Sequence, residues 1–245
     1  MEELKYRLGE DHPTYQSEHM ATLFGLLCRA TEELAGEEVF GRVIPWCVAR
    51  YGRERGSRMA QRCLADGRPL TMLNYRCYSE WRPQPGTHQH NLISRSPVYS
   101  TMSTTCSWND AWKKHGLSKY GPYYCNYVDK NLVWGFNPSI DLKIHSFLSE
   151  GADGCHFEWT GLEMTPENEE LMAKTKAELG DRYVKNFEYH TAHAYFTMGR
   201  VLREELGEEL AGKILQKKLA DYEAIFGKEH TSFLRLKKVD FTRAC

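Results

Sequence analysis

The spacing of apolar residues divides the chain into a helical front, a strand-rich middle and a helical back. Up to residue 64, apolar positions recur every three or four residues, which is the period of an amphipathic helix. We predict a first helix that is capped by Thr14 and ends near Gly36, because Thr is a good N-cap and Gly a good helix stop. A second helix follows over 37–64, and we expect Pro45 to interrupt or kink it, as well as the glycines near 52 and 56.

The middle alternates apolar and polar residues, which is typical of half-buried strands. The predicted strands lie near 70–79, 91–104, 140–148 and 155–160. Ser107, followed by Asp110, resembles a capping box and predicts a short helix that stops at Gly116. A second short helix is expected over 123–132, between the second and third strands.

Two amphipathic stripes dominate the back of the chain. A first helix is expected from Thr165-Pro166 to Gly180, since Pro is favoured at the first helical position. The sum predicts an α+β fold, in which N-terminal and C-terminal helices flank an antiparallel sheet. We expect one domain over 1–245, organised as a helical front (1–66), a strand-rich core (67–160) and a helical back (161–245).

Composition and charge narrow the classes of partner. The 245 residues carry 32 Lys and Arg against 33 Asp and Glu, a formal net charge of −1. This balance gives no electrostatic footprint for nucleic acid or an anionic membrane, so a small molecule is the expected partner, with a homo-oligomer left open. The charged N-terminus and the lack of a long apolar run predict a cytoplasmic protein, in which the eight cysteines stay reduced.

The middle also holds the densest reactive side chains. Cys106 lies at a predicted helix start, where amide groups and the helix dipole lower a thiol pKa; the alternative is a small buried residue at a strand end. Cys125 and Asp129 are four residues apart on a predicted helix and therefore share a face. Cys155 begins the last predicted strand on its apolar side, as a packed thiol or as part of a pocket floor.

Histidines offer a second set of candidates. His88 and His90 are two residues apart in an extended segment, so both can face one ligand, and His190 and His193 share a helix face. Either spacing can bind a metal ion, although such pairs are more often polar surface residues or hydrogen-bonded core residues. No dinucleotide fingerprint, phosphate loop or serine-hydrolase elbow occurs, so we expect no organic cofactor, while a bound zinc or other divalent metal stays open.

A set of short motifs between residues 105 and 159 is more specific in combination than each motif alone. They are Cys106-Ser107-Trp108, Cys125-x-x-x-Asp129, Gly135-Phe136-Asn137-Pro138 and Gly151-Ala152-Asp153-Gly154-Cys155-His156-Phe157. Together they resemble the L-2-amino-thiazoline-4-carboxylic acid hydrolase family. The resemblance is close over about a quarter of the chain and looser over about two thirds.

This resemblance implies a cytoplasmic hydrolase of small-molecule metabolism that opens a cyclic amidine-like, sulfur–nitrogen heterocycle at a C–N bond. Its electrophilic carbon suits attack by a thiolate, with a carboxylate moving protons. Cys106 is the first choice for the nucleophile and Asp129 for the proton relay, with Cys125 and Cys155 completing the catalytic group. We expect four residues to bind the substrate: Asn137, His88, His90 and His145.

Two other classes of function remain open on the sequence alone. One is a metal-assisted hydrolase, in which the three cysteines or His88 and His90 hold zinc and activate water. The other is a sensor-type domain that binds a small molecule without turnover, because a fold alone does not determine a function.

Overall fold

The computed structural model describes residues 13–82, 87 and 89–244. Helix α1 spans Ser17–Ala35 and helix α2 spans Glu37–Ala65. Gly36 separates them with a φ of 84°, which confirms the predicted helix end. The cap at Thr14 is wrong: Gln16 is the N-cap, and its amide donates to Nδ1 of His19 at 3.0 Å.

The first predicted strand is wrong, because its residues form the short helix α3, Met72–Cys77. Thr71 caps this helix by accepting a hydrogen bond from the amide of Asn74 at 3.3 Å. Five of its six residues are buried. Because nearly every position is buried, the apolar residues show neither the helical nor the strand period, and the sequence does not distinguish the two. The second predicted strand is two strands, β1 (His90–Ser94) and β2 (Tyr99–Ser103), paired antiparallel.

The remaining strands are β3 (Leu142–Ser146) and β4 (Cys155–Trp159), close to the predicted segments. The four form one antiparallel sheet in the order β1-β2-β4-β3, so the α+β prediction is confirmed. Helices α4 (Ser107–Lys114) and α5 (Gly121–Phe136) connect β2 to β3, with a 3₁₀ turn at Ser118–Tyr120 before α5. A second 3₁₀ turn, Leu148–Glu150, precedes β4.

The back of the chain follows its prediction closely. Helix α6 spans Pro166–Leu179, with Thr165 as its N-cap and Gly180 as its stop. Helix α7 spans Phe187–Phe226 and changes direction at Gly207, where φ is 78°. A 3₁₀ segment, Lys228–Lys238, follows and packs against α7, while α7 itself packs on α1 and α2. Within the described ranges, no helix has the length and apolar character needed to cross a membrane.

Helices α2 and α5 approach each other backbone to backbone at three glycines. A Cβ placed on Gly56 would lie 2.0 Å from the carbonyl oxygen of Leu132, and one on Gly135 would lie 2.3 Å from that of Arg53. Gly52 also faces the backbone of α5. The glycines predicted to interrupt α2 therefore do not break this continuous helix; they let another helix come close.

A buried ionic cluster holds the segment after α3 against α2. The Glu80 carboxylate is fully buried and contacts Arg58 at 2.8 Å, Arg62 at 2.7 Å and Arg55 at 3.5 Å. Burial opposes ionisation of Glu80, but the arginines outweigh it and lower the pKa of the carboxyl. The helical pair His190 and His193 belongs to this region and is buried too.

Each histidine of that pair lies within hydrogen-bond distance of an oxygen atom of a glutamate. Nε2 of His190 lies 3.2 Å from the backbone oxygen of Glu80, and Nε2 of His193 lies 3.1 Å from the Glu54 carboxylate. Burial lowers the pKa of His190 to about 3 and that of His193 well below its usual value. Both rings are therefore neutral at pH 7 and serve as hydrogen-bonded core residues.

We expect Gly56→Ala to destabilise the protein by about 1–3 kcal/mol, the usual cost of overpacking, because the new methyl group meets rigid backbone. Gly41→Ala on the same helix is the matched control. No atom lies within 4 Å of its added Cβ, so this variant should gain up to about 1 kcal/mol from helix propensity. Urea unfolding of both variants measures the difference, and equal effects would contradict the close approach of α2 and α5.

Candidate active site

A cavity of about 780 Å³ lies between one face of the sheet and the surrounding helices. Helices α2, α3, α5 and α6 contribute to its walls, together with the start of α4. The candidate residues Cys106, Cys125, Asp129 and Cys155 all line it, so the structure brings the four together. The lining also contains charged and aromatic side chains, among them Arg55, Arg76, Trp81, Arg82, His90, Phe157, Trp159, Lys176 and Asp181.

Strand pairing places two of the thiols. Cys155 is the first residue of β4 and pairs with Ser103, the last residue of β2. Cys106 follows β2 by three residues and is the N-cap of α4. The sequence predicted this cap one residue later, at Ser107. The sulfur of Cys155 accepts a hydrogen bond from the amide of Leu148 at 3.3 Å.

The third thiol and the carboxylate come from one face of α5. Cys125 and Asp129 are one helical turn apart, and both line the cavity. Burial raises the pKa of Asp129 to about 6, and the opposite charge of Arg55 on α2 limits the rise. At pH 7 most of the carboxylate is ionised, yet its pKa is close enough to neutrality for it to accept and return a proton.

The expected low pKa of Cys106 is wrong. Burial raises the pKa of this thiol to about 11, and the amides of Asn109 and Trp108 at the start of α4 only partly offset the rise. Burial also raises the pKa of Cys125 and of Cys155, because a thiolate loses its solvation in the cavity wall. The amide donors at the start of α4 therefore do not make Cys106 a thiolate in the free protein. If Cys106 attacks a substrate, a base must first accept its proton.

Of the three expected substrate-binding residues that the structure describes, His90 alone lines the cavity. Its Nδ1 lies 2.7 Å from Oγ of Ser103, and burial followed by the charges of Arg76 and Lys176 lowers its pKa. His88 falls outside the described residues.

Asn137 and His145 lie away from the cavity. The Asn137 amide donates to the backbone oxygen of Leu70 at 2.7 Å, and its side-chain oxygen accepts from the amide of Ser139. Asn137 thus connects the C-terminal end of α5 to the segment before α3 by a hydrogen bond. His145 is exposed on the opposite face of the sheet and contacts Glu158 at 3.0 Å, since alternate residues of a strand face opposite sides.

The metal alternative receives no support from side-chain placement. Across 13–82, 87 and 89–244, no three His, Cys, Asp or Glu side chains are grouped closely enough to hold a metal ion. The three cavity thiols do not meet this condition, and His90 adds no such group. The seven cysteines within the described residues are all free thiols.

The cavity also contains cations that the sequence analysis missed. Arg55 comes from α2, Arg76 from α3 and Lys176 from α6, which lies a hundred residues beyond Arg76. No motif or spacing connects them, because the tertiary fold alone brings them to one cavity. Arg55 carries one signal in the sequence: it lies between Gly52 and Gly56, the close-packing glycines of α2.

Comparison with protein families adds evidence from the sequence. The model of the L-2-amino-thiazoline-4-carboxylic acid hydrolase family matches residues 15–159, about three fifths of the chain. The chain belongs to this family. The matched region of this hydrolase family member includes α1 to β4 and therefore Cys106, Cys125, Asp129 and Cys155, whereas α6 and α7 follow it. Comparison with curated proteins and with solved structures gave no match.

We predict slow alkylation of Cys106 by iodoacetamide at pH 7, with a rate that rises toward an apparent pKa of about 11. Peptide mass spectrometry follows the carbamidomethyl group on Cys106 against pH in the free enzyme. A half-maximal rate near pH 7 would contradict the dominance of burial over the donors at the start of α4. Exposed free cysteine in the buffer serves as the control for reagent chemistry.

Proposed function

We propose that this family member opens a small cyclic amidine-like, sulfur–nitrogen ring by hydrolysis at a C–N bond, using Cys106 and Asp129. One observation carries the proposal: three thiols and a carboxylate with a pKa of about 6 line one cavity within the matched region. A cavity of this volume suits a small heterocyclic substrate. The family name supports a thiazoline carboxylic acid as the starting candidate.

The first half of the reaction forms a covalent adduct. Asp129 accepts the proton of the Cys106 thiol while the sulfur attacks the amidine carbon, which forms a carbon–sulfur bond and moves the π electrons to nitrogen. The adduct then collapses: the ring C–N bond breaks, the lone pair of the substrate's exocyclic amine forms a C=N bond, and the departing nitrogen takes one proton from Asp129 and one from that amine. The raised pKa of Cys106 makes this base necessary, because the resting thiol is protonated.

Water completes the second half. Asp129 accepts a proton from water, the oxygen attacks the carbon held on Cys106, and the enzyme carbon–sulfur bond breaks. The second water proton moves to the imine nitrogen as the carbonyl forms, and the released thiolate takes the proton from Asp129, which restores both groups. This sequence needs no metal or organic cofactor. Cys125 and Cys155 line the pocket beside the reacting groups.

The expected effects of two substitutions test these roles. With 2-amino-thiazoline-4-carboxylate as substrate, Cys106→Ser should reduce kcat by about a thousandfold or more, because a hydroxyl is a much poorer nucleophile. Asp129→Asn should reduce kcat/KM by roughly 10²- to 10⁴-fold, the usual contribution of a general acid–base. The controls are Cys63→Ser, outside the cavity lining, and Asp141→Asn at the surface, with circular dichroism to check folding.

The pH profile gives a second, independent readout. Asp129 acts in its ionised form, so kcat/KM of the wild type should fall as the pH drops through about 6. The residual activity of Asp129→Asn should lack this acidic limb. An unchanged limb in that variant, or full activity of Cys106→Ser, would contradict the proposed roles.

Product analysis tests the bond and the alternatives together. Cleavage of the ring C–N bond leaves sulfur attached to the carbonyl carbon and releases no thiol, whereas C–S cleavage releases a thiol that a colorimetric reagent detects. A released thiol would contradict the C–N assignment alone. Loss of activity on chelation would favour the metal alternative, and binding without any turnover would favour the sensor.

A further inference from the structure

Two basic side chains lie in the cavity wall without an acidic partner. Arg76 projects from α3, and its guanidinium carbon lies 4.1 Å from the centroid of the Trp159 ring. Its Nε is buried and has no hydrogen-bond partner among the described residues. Lys176 reaches the same cavity from α6, and no carboxylate of the described chain lies within 4.0 Å of either basic group.

Arg76 is close enough to Lys176 to disfavour the charge of the lysine. Burial lowers the pKa of Lys176, and the charge of Arg76 lowers it further. Both groups also depress the pKa of His90, which therefore lies near them. Burial lowers the pKa of Arg76 as well. Positive charge gathered in a cavity without a counter-ion is costly to the free protein, and an anionic ligand would offset that cost.

The other cavity arginines already have acidic partners. Arg55 lies 3.5 Å from the buried Glu80 carboxylate, and its charge also limits the rise in the pKa of Asp129. Both carboxylates therefore compensate its charge. Arg82 lies 3.5 Å from Asp181 at the exposed rim. Arg76 and Lys176 are consequently the basic groups of the described lining whose charge the chain leaves uncompensated.

The strand register places His90 beside the thiol end of the sheet. His90 of β1 pairs with Ser103 of β2, and Ser103 pairs with Cys155 of β4. Besides burial, Arg76 and Lys176 both lower the pKa of His90, so their charges reach the end of the cavity that carries Cys155. A small ligand at this end would lie beside the thiols and within the field of both cations.

We infer that Arg76 and Lys176 form a carboxylate-binding subsite, which orients the substrate with its acid toward α3 and α6 and its ring toward Cys106 and Asp129. The planar guanidinium, held against Trp159, offers paired N–H donors to a carboxylate, and Lys176 adds a second charge. The identity of the ring rests on the proposed function, whereas the anion preference does not depend on turnover.

Calorimetric binding of two stable, uncleaved probes tests the subsite: thiazole-4-carboxylate and its neutral counterpart, thiazole-4-carboxamide. We expect the wild type to bind the carboxylate at least about tenfold more tightly, as charge-assisted hydrogen bonds require. Arg76→Gln should remove most of this preference by weakening carboxylate binding alone, and Lys176→Gln should reduce it. Arg76→Lys should retain part of it. Lys174→Gln, on the same helix but outside the lining, is the matched control.

Turnover supplies the complementary readout. With 2-amino-thiazoline-4-carboxylate, Arg76→Gln should raise KM about tenfold or more while kcat changes much less, because the subsite acts on binding. Equal affinity of the wild type for both probes, no measurable binding of the carboxylate, or an unchanged preference in Arg76→Gln would overturn the subsite. A retained preference without any turnover would overturn only the proposed function.

Discussion

The backbone-to-backbone packing of α2 on α5 is the constraint on which the cavity depends. Gly52 and Gly56 on one helix and Gly135 on the other remove the side chains that would hold the axes apart. This close approach brings Arg55 of α2 within electrostatic reach of Asp129 of α5, and the pair forms part of the cavity wall. A larger residue at these positions would move the proposed base relative to the sheet and its thiols.

The ionic cluster around Glu80 extends this constraint to the opposite wall. Three arginines of α2 surround one buried carboxylate, which fixes the start of the segment that carries Trp81 and Arg82 into the cavity. A buried carboxylate with three cations is stable only as a set, since removal of one partner leaves charge without compensation. The described lining of the site holds four side chains of Arg and Lys against two acidic ones, Asp129 and Asp181, so the field there is positive.

The sequence predicts those parts of the fold that depend on local signals. Thr165, Pro166 and Gly180 bound α6 as expected, and the alternation around Ile144 and Phe157 identifies β3 and β4. Met72–Cys77 is misread because a six-residue helix with five buried positions leaves no periodicity to detect. Gly56 is misread as a break because its reason lies on another helix.

The sequence also predicts only part of the candidate site. Motif residues such as Cys106 and Asp129 could be selected from the sequence, and both line the cavity. Their pKa values could not, because burial outweighs the helix-start effect at Cys106, and burial is a property of the whole fold. Arg76 and Lys176 could not be selected either, since they are a hundred residues apart and share no motif.

The covalent step at Cys106 is tested most directly by rapid-quench mass spectrometry of the intact protein during a single turnover of 2-amino-thiazoline-4-carboxylate. We predict a transient mass increase that peptide mapping assigns to Cys106 and that decays as product forms. The increase should be absent in Cys106→Ser. Complete conversion of the substrate without an adduct on Cys106, or with an adduct on Cys125 or Cys155 instead, would contradict Cys106 as the nucleophile.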